Sequence, residues 1–205
     1  MQRKFTTTIL LFCLTAILLI LGGCATERPR DIGNICAIFK QKPAWYSDAN
    51  RSQRRWGVPT TTLMAIMWQE SRFQPTVKPP REKLLGIIPW VRPSSAIGFS
   101  QATYATWWQY QEYTDNFAAR RSNFKDAIDF VGWFSYLSHK KLGIPLNNTY
   151  ELYLAYHEGR GGYAARSYRR KRWLINVSRR VQRQANRYHA QLVRCSRSLR
   201  HHSWF

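Results

Sequence analysis

Glu70 ends the stretch MAIMWQE and is the only acidic residue between Asp48 and Glu82. Read as a helix, TTTLMAIMWQESRF places Leu63, Ile66, Met67 and Glu70 at i, i+3, i+4 and i+7, so the carboxyl rides at the end of an apolar face. Burying an ionised carboxylate there without a partner costs several kcal/mol, so the group would keep its proton to higher pH than a solvated glutamate. A carboxylic acid still protonated near neutrality can act as a general acid. The same periodicity also fits a glutamate that is simply hydrated in the last helical turn, and periodicity alone leaves both readings open.

The elements that must hold such an acid read as helices. PAWYSDANRSQRRWG spaces Trp45, Ala49, Ser52 and Trp56 on one face and stops at Gly57. The next helix begins after Pro59 and carries Glu70. Five of the nine prolines fall between residues 74 and 95, which predicts a small hairpin or irregular insertion there. Within it KLLGIIPW, residues 83 to 90, sets apolar side chains in a loop that could wall a groove, dip into lipid or fold back as core. Further helices are expected at about 102–112, at 126–142 ending before Gly143, and at 149–158, where Asn148 and Glu151 stand at capping-box spacing. From Trp173 to Cys195, Val177, Val181, Ala185, Tyr188 and Leu192 keep helical spacing while arginines fill other faces. Strand signals are few and repeats absent, so the fold class expected is all-α, as one domain acting as a monomer.

The start of the chain addresses it to an envelope. Arg3 and Lys4 precede an apolar run from Ile9 to Leu21 that ends in Gly22, Gly23 and Cys24, the order of a secretory signal. The run is short of the roughly 20 residues of a spanning helix. LGGC resembles a bacterial lipobox, which implies cleavage before Cys24 and its lipidation; Ala25 after the cysteine points to the periplasmic leaflet of the outer membrane. The division expected is a signal peptide at 1–23, a lipidated tether at 24–40, the domain at 41–195 and a basic tail at 196–205. Of four cysteines, Cys36 and Cys195 then remain, either as one disulfide in an oxidising compartment or as two free thiols.

The formal charge is +21, so a polyanion is the natural partner. Export leaves nucleic acid on the wrong side of the membrane. The arginine-rich end carries no acid after Glu158; it is either a solvated helix face or a grip for acidic envelope polymer or phosphate head groups. His and Cys do not cluster in a ligand pattern, so neither a metal nor another cofactor is expected.

Three separated stretches, ESRF at 70–73, SAIGFSQATYATW at 95–107 and LAYHEGRGGY at 154–163, resemble in order and spacing the three motifs of the soluble lytic transglycosylases, whose domain is lysozyme-like. The resemblance covers about residues 41 to 190. It implies a cleaver of peptidoglycan glycan strands that uses one glutamate as acid and then base. By position Glu70 is that residue, Ser71 helps hold the site, Phe73 is core and Gln101 lies in the cleft near the glycan. Tyr156 matches the tyrosine whose hydroxyl bonds the catalytic carboxyl. Phe99 and Ser100 replace the usual Leu and Met, and His157 and Glu158 replace the usual Asn and Ala. Glu158 thereby adds a second carboxylate, which at about 5 to 9 Å from Glu70 would make the protein a lysozyme-type muramidase; alternatively it ends a helix in solvent or pairs with Arg160, Arg166 or Arg169. The substitutions also leave room for a non-catalytic, peptidoglycan-binding adaptor lipoprotein, and a secretion-complex partner is one further expectation.

Overall fold

The computed structural model describes residues 27–79, 83–84, 88–89 and 94–201. The signal at 1–23, Cys24, most of the 83–90 insertion and the last four residues of the tail lie outside the described residues. The first helix, α1 (Ile35–Gln41), is capped by Asn34, whose side chain accepts from the amides of Cys36 and Ala37 at 3.0 and 3.3 Å. It buries Ile35, Ile38 and Phe39 completely or nearly so. The segment expected as a tether is thus corrected from residue 35 onward: an i, i+3, i+4 apolar triplet makes it part of the core.

Helix α2 (Pro43–Trp56) starts with proline at its first position, where the missing N–H costs nothing, and ends at Gly57 with φ of 75°. Its buried face is Trp45, Ala49, Ser52 and Trp56. Helix α3 (Thr60–Ser71) differs from the amphipathic stripe expected of it, because every residue from Thr60 to Met67 is buried. Surrounded on all sides, it forms the axis of the domain, and only its C-terminal turn, with Glu70, meets solvent. Arg72 and Phe73, both left-handed at φ of 52° and 60°, turn the chain out of the helix.

Two short antiparallel strands, β1 (Lys83–Leu84) and β2 (Ile88–Pro89), form a hairpin within the proline-rich segment. Then come α4 (Tyr104–Thr114), α5 (Phe124–Leu142, ended by Gly143 at φ of 69°) and α6 (Thr149–Ala164). Asn148 caps α6 by accepting from the Glu151 amide at 3.2 Å. Gly159, with φ of 72° and ψ of 159°, kinks α6, so it runs six residues past its expected end in a new direction. A single 3₁₀ turn (Ser167–Arg170) leads to α7 (Arg172–His201), which absorbs the first residues of the expected basic tail.

Helices α5 and α7 pack along α3, α2 lies on α5, and α6 bridges α5 and α7. Gly132 of α5 sits where a Cβ would come within 2.4 Å of Ser52 Oγ and 2.5 Å of Trp56 Cδ1, so α2 and α5 cross closely there; Ser52 Oγ donates to the Ile128 carbonyl across the crossing. An aromatic cluster fills one end: Trp45 stacks on Phe124 with centroids 3.9 Å apart, and Phe73 and Phe99 close around it. Cys36 and Cys195 form a disulfide, Cα to Cα 6.1 Å, joining α1 to α7. The buried side chains of the described residues lie between Pro29 and Leu199. No helix among the described residues is long and apolar enough to cross a membrane.

Candidate active site

A cleft of about 300 Å³ opens at the C-terminal end of α3, where Glu70 meets it. One wall is the loop from Ser94 to Thr103, contributing Ser94, Ala96, Gln101 and Ala102, with Pro79 and Thr106 beside it. The other is made of Phe130 and Phe134 from α5 and Tyr156 and His157 from α6. Glu70 is the sole acid among the described lining residues. Its side chain is half-buried, and desolvation raises its pKa from 4.5 to about 7, against a hydrogen bond from Tyr153 that pulls it down. Burial therefore decides the protonation state, and the Tyr153 hydroxyl moderates it.

The hydroxyl assignment corrects one expectation. Tyr156, not Tyr153, was matched to the tyrosine that bonds the carboxyl, yet Tyr156 donates to the Ser100 carbonyl at 2.6 Å. Its hydroxyl is pushed to higher pKa by burial and then by the nearby Glu70. Tyr153, one turn earlier on α6 and 3 % exposed, provides the bond to Glu70. Its position at i−3 to Tyr156, on the same helix face, is the signal that could have found it. Tyr156 instead ties α6 to the opposite wall of the cleft.

That wall is built by Gly98, Gln101 and Arg121. Gly98 has φ of 79°, and a Cβ on it would stand 2.3 Å from the Arg121 carbonyl oxygen, so only glycine lets the loop lie this close. Gln101 is left-handed at φ of 49°, and its amide donates to the carbonyls of Val77 and Gly98 at 2.9 and 2.8 Å. It therefore lines the cleft while locking the loop. Arg121 donates to the carbonyls of Ser95 and Ala102. Phe99 and Ser100 are fully buried, Phe99 in the aromatic cluster, and neither lines the cleft.

Ser71 is buried, and its hydroxyl donates to the Met67 carbonyl at 3.3 Å, finishing the helix that carries Glu70. His157 is exposed at the rim, lines the cleft, and meets the exposed Trp173 edge-on with centroids 5.1 Å apart. Glu158 points elsewhere. Its carboxylate, 3 % exposed, accepts from Lys171 Nζ at 2.8 and 3.1 Å, from Ser167 Oγ and from His157 Nδ1 at 3.3 Å. The Lys171, Ser167 and His157 bonds together outweigh desolvation and hold its pKa below the usual value. The partner is thus Lys171 and not Arg160, Arg166 or Arg169, because the kink at Gly159 and the 3₁₀ turn fold the chain back over α6. Glu158 does not line the cleft. Among the described residues no group of three His, Cys, Asp or Glu is placed to hold a metal ion.

The family described as Transglycosylase SLT domain matches residues 12–195 of the sequence. The chain belongs to the SLT transglycosylase family. No curated protein and no solved structure gives a match. The helical architecture is that of the family's lysozyme-like domain, and the SLT motifs ESRF, SAIGFSQ and AYHEG meet around the cleft, from α3, the 94–103 loop and α6 respectively.

Proposed function

We propose that this protein is a peptidoglycan lytic transglycosylase that cleaves the β-1,4 bond between N-acetylmuramic acid and N-acetylglucosamine, leaving a 1,6-anhydromuramyl end. The observation that carries the reading is the lone, half-buried carboxyl of Glu70 in the described cleft, held to a pKa near 7. In the first step Glu70 gives its proton to the bridging oxygen, the C1–O bond breaks, and positive charge develops on the muramyl ring. Glu70 is then a carboxylate, stabilised by the Tyr153 hydroxyl. In the second step the C6 hydroxyl of the same sugar attacks C1 while Glu70 takes its proton. The acid is regenerated and no water is consumed. A group near pKa 7 suits both halves, since it neither holds its proton too tightly to give it nor binds it too weakly to recover it.

A muramidase would need a second carboxylate at the cleft, and Glu158 is engaged with Lys171 and Ser167. The aromatic rings of Phe130, Phe134 and Tyr156 opposite the amide of Gln101 suit a polysaccharide, whose ring faces stack on aromatics and whose hydroxyls bond amides. We further propose that Cys24 carries lipid and holds the enzyme in the periplasm at the outer membrane. Digestion of purified sacculi followed by mass spectrometry tests the chemistry: anhydro ends are expected, reducing muramic acid would transfer the protein to the hydrolases, and retention without release would make it an adaptor. Mass spectrometry of the mature N-terminus and membrane fractionation test the anchor.

A further inference from the structure

Helix α7 carries a straight stripe of arginine. At 100° per residue, Arg172, Arg179, Arg180, Arg183, Arg187, Arg194 and Arg197 fall within an arc of about 100°, and they span about 38 Å along the axis. All seven are exposed. The opposite face is the one that buries Leu174, Ser178, Val181, Ala185, Tyr188 and Leu199. None of the seven forms a salt bridge with a described acid, and the helix contains no Asp or Glu; among the described residues the one side-chain bond on the stripe is a 3.4 Å contact from Arg179 to Asn176. A solvated helix face ordinarily mixes signs to limit self-repulsion. Seven like charges in one line on a helix, with no ion pair to an acid among the described residues, leave an electrostatic demand that the described domain does not meet.

The entry of the chain lies along the edge of this stripe. The Gly33 carbonyl accepts from the side chains of Gln184 and Gln191, the Ile35 amide donates to Gln191, and the Tyr188 hydroxyl donates to the Ile32 carbonyl. Gln184 and Gln191 project on the side of α7 next to the arginine arc, and the disulfide fastens the same segment. In sequence the apolar run Ile9–Leu21 and Cys24 come immediately before Glu27. If Cys24 carries lipid as proposed above, that lipid is attached three residues before Glu27 and so within reach of the flank of α7.

We propose that the arginine stripe of α7 docks on an anionic phospholipid surface, its guanidinium groups pairing with headgroup phosphates. A flat array suits a line of cations on one helix arc, and guanidinium binds phosphate in a two-point fork. Docking would lay α7 parallel to the membrane and fix which way the cleft faces. The contact is independent of the reaction proposed for Glu70.

The test is co-sedimentation of the chain from Glu27 onward, which keeps every buried side chain of the described residues, with vesicles of phosphatidylcholine alone or with about one-third phosphatidylglycerol. Partition onto the anionic vesicles only, reversed by salt, is expected. The double substitution Arg183→Gln, Arg187→Gln should lower partition about 25-fold, from about fivefold per arginine, and lysine at both positions should restore most of it. Thermal melts of each variant separate loss of fold from loss of contact. Equal partition onto neutral vesicles, or no change in the double variant, overturns the proposal. So does retention by sacculi through the same two arginines without binding to anionic vesicles, which would assign the stripe to wall polymer. Anhydro-end formation from sacculi in solution should be the same for wild type and the double variant.

Discussion

Replacing Tyr153 by Phe isolates the balance that sets the working pH. The ring stays, so packing around this nearly buried side chain is kept, and only the hydroxyl that bonds Glu70 is lost. A hydrogen bond to a charged group contributes about 1.5–3 kcal/mol. The bond favours the ionised carboxylate, so its removal raises the pKa of Glu70 by about 1 to 2 units from its value near 7. Because catalysis begins with the protonated acid, the alkaline limb of the turnover profile on sacculi should move upward by that interval. At pH 5, where Glu70 is protonated in both proteins, turnover should still fall by about tenfold or more, because the carboxylate formed as the glycosidic bond breaks has lost its donor. The deficit should shrink as pH rises through 7. Tyr156→Phe is the matched control: it deletes the bond to the Ser100 carbonyl, so it should cost about 1 kcal/mol of stability and leave the limb in place. If the limb stays fixed in Tyr153→Phe, or moves in Tyr156→Phe instead, the assignment of the two hydroxyls is wrong.

Glu70→Gln should abolish anhydro-end formation and yet stabilise the fold at alkaline pH. Glu70 has its ordinary pKa of 4.5 when unfolded and about 7 when folded, so its cost is absent below 4.5 and complete above 7; thermal melts should show a gain of up to about 3 kcal/mol at pH 8 and none at pH 4. Gly98→Ala forces a Cβ against the Arg121 carbonyl at a left-handed φ and should lower stability by about 2 kcal/mol or more in urea titrations, with activity falling as the cleft wall shifts. Glu158→Gln should lower the melting temperature, by removing a buried partner of Lys171, while the products released from sacculi keep their anhydro ends. Reduction of the Cys36–Cys195 disulfide, which closes a sequence separation of 159 residues, should cost up to about 5 kcal/mol, read from melts with and without reductant.

Much of the fold could be read from local signals. Gly57 and Gly143 marked helix ends that the structure places at those glycines, and Asn148 was legible as a cap because the spacing to Glu151 is short-range chemistry. Helix α1 escaped because Pro29 and Gly33 upstream read as breakers, and its seven residues are too few for periodicity to outweigh them. The burial of α3 on every side, set by α5 and α7 packing against it, likewise could not follow from one segment.

At the site, the motifs located the acid and the two walls, but not the bonds between them. Tyr153 and Tyr156 share a helix face, so which hydroxyl reaches Glu70 depends on how α6 is rotated about its axis, and that rotation is decided by partners distant in sequence. The Ser100 carbonyl, drawn close by the Gly98 turn and the Arg121 bonds, takes the Tyr156 hydroxyl and leaves Tyr153 for Glu70. The direction of Glu158 is decided in the same way, by the Gly159 kink that brings Lys171 back over α6. Helix ends follow from neighbours in the chain, whereas the direction of a proton-carrying bond follows from neighbours in space. Of the substitutions around the motifs, the one that adds a carboxylate therefore leaves Glu70 the single acid facing the described cleft, because Glu158 is held by Lys171 and Ser167 while His157 stays at the rim against Trp173.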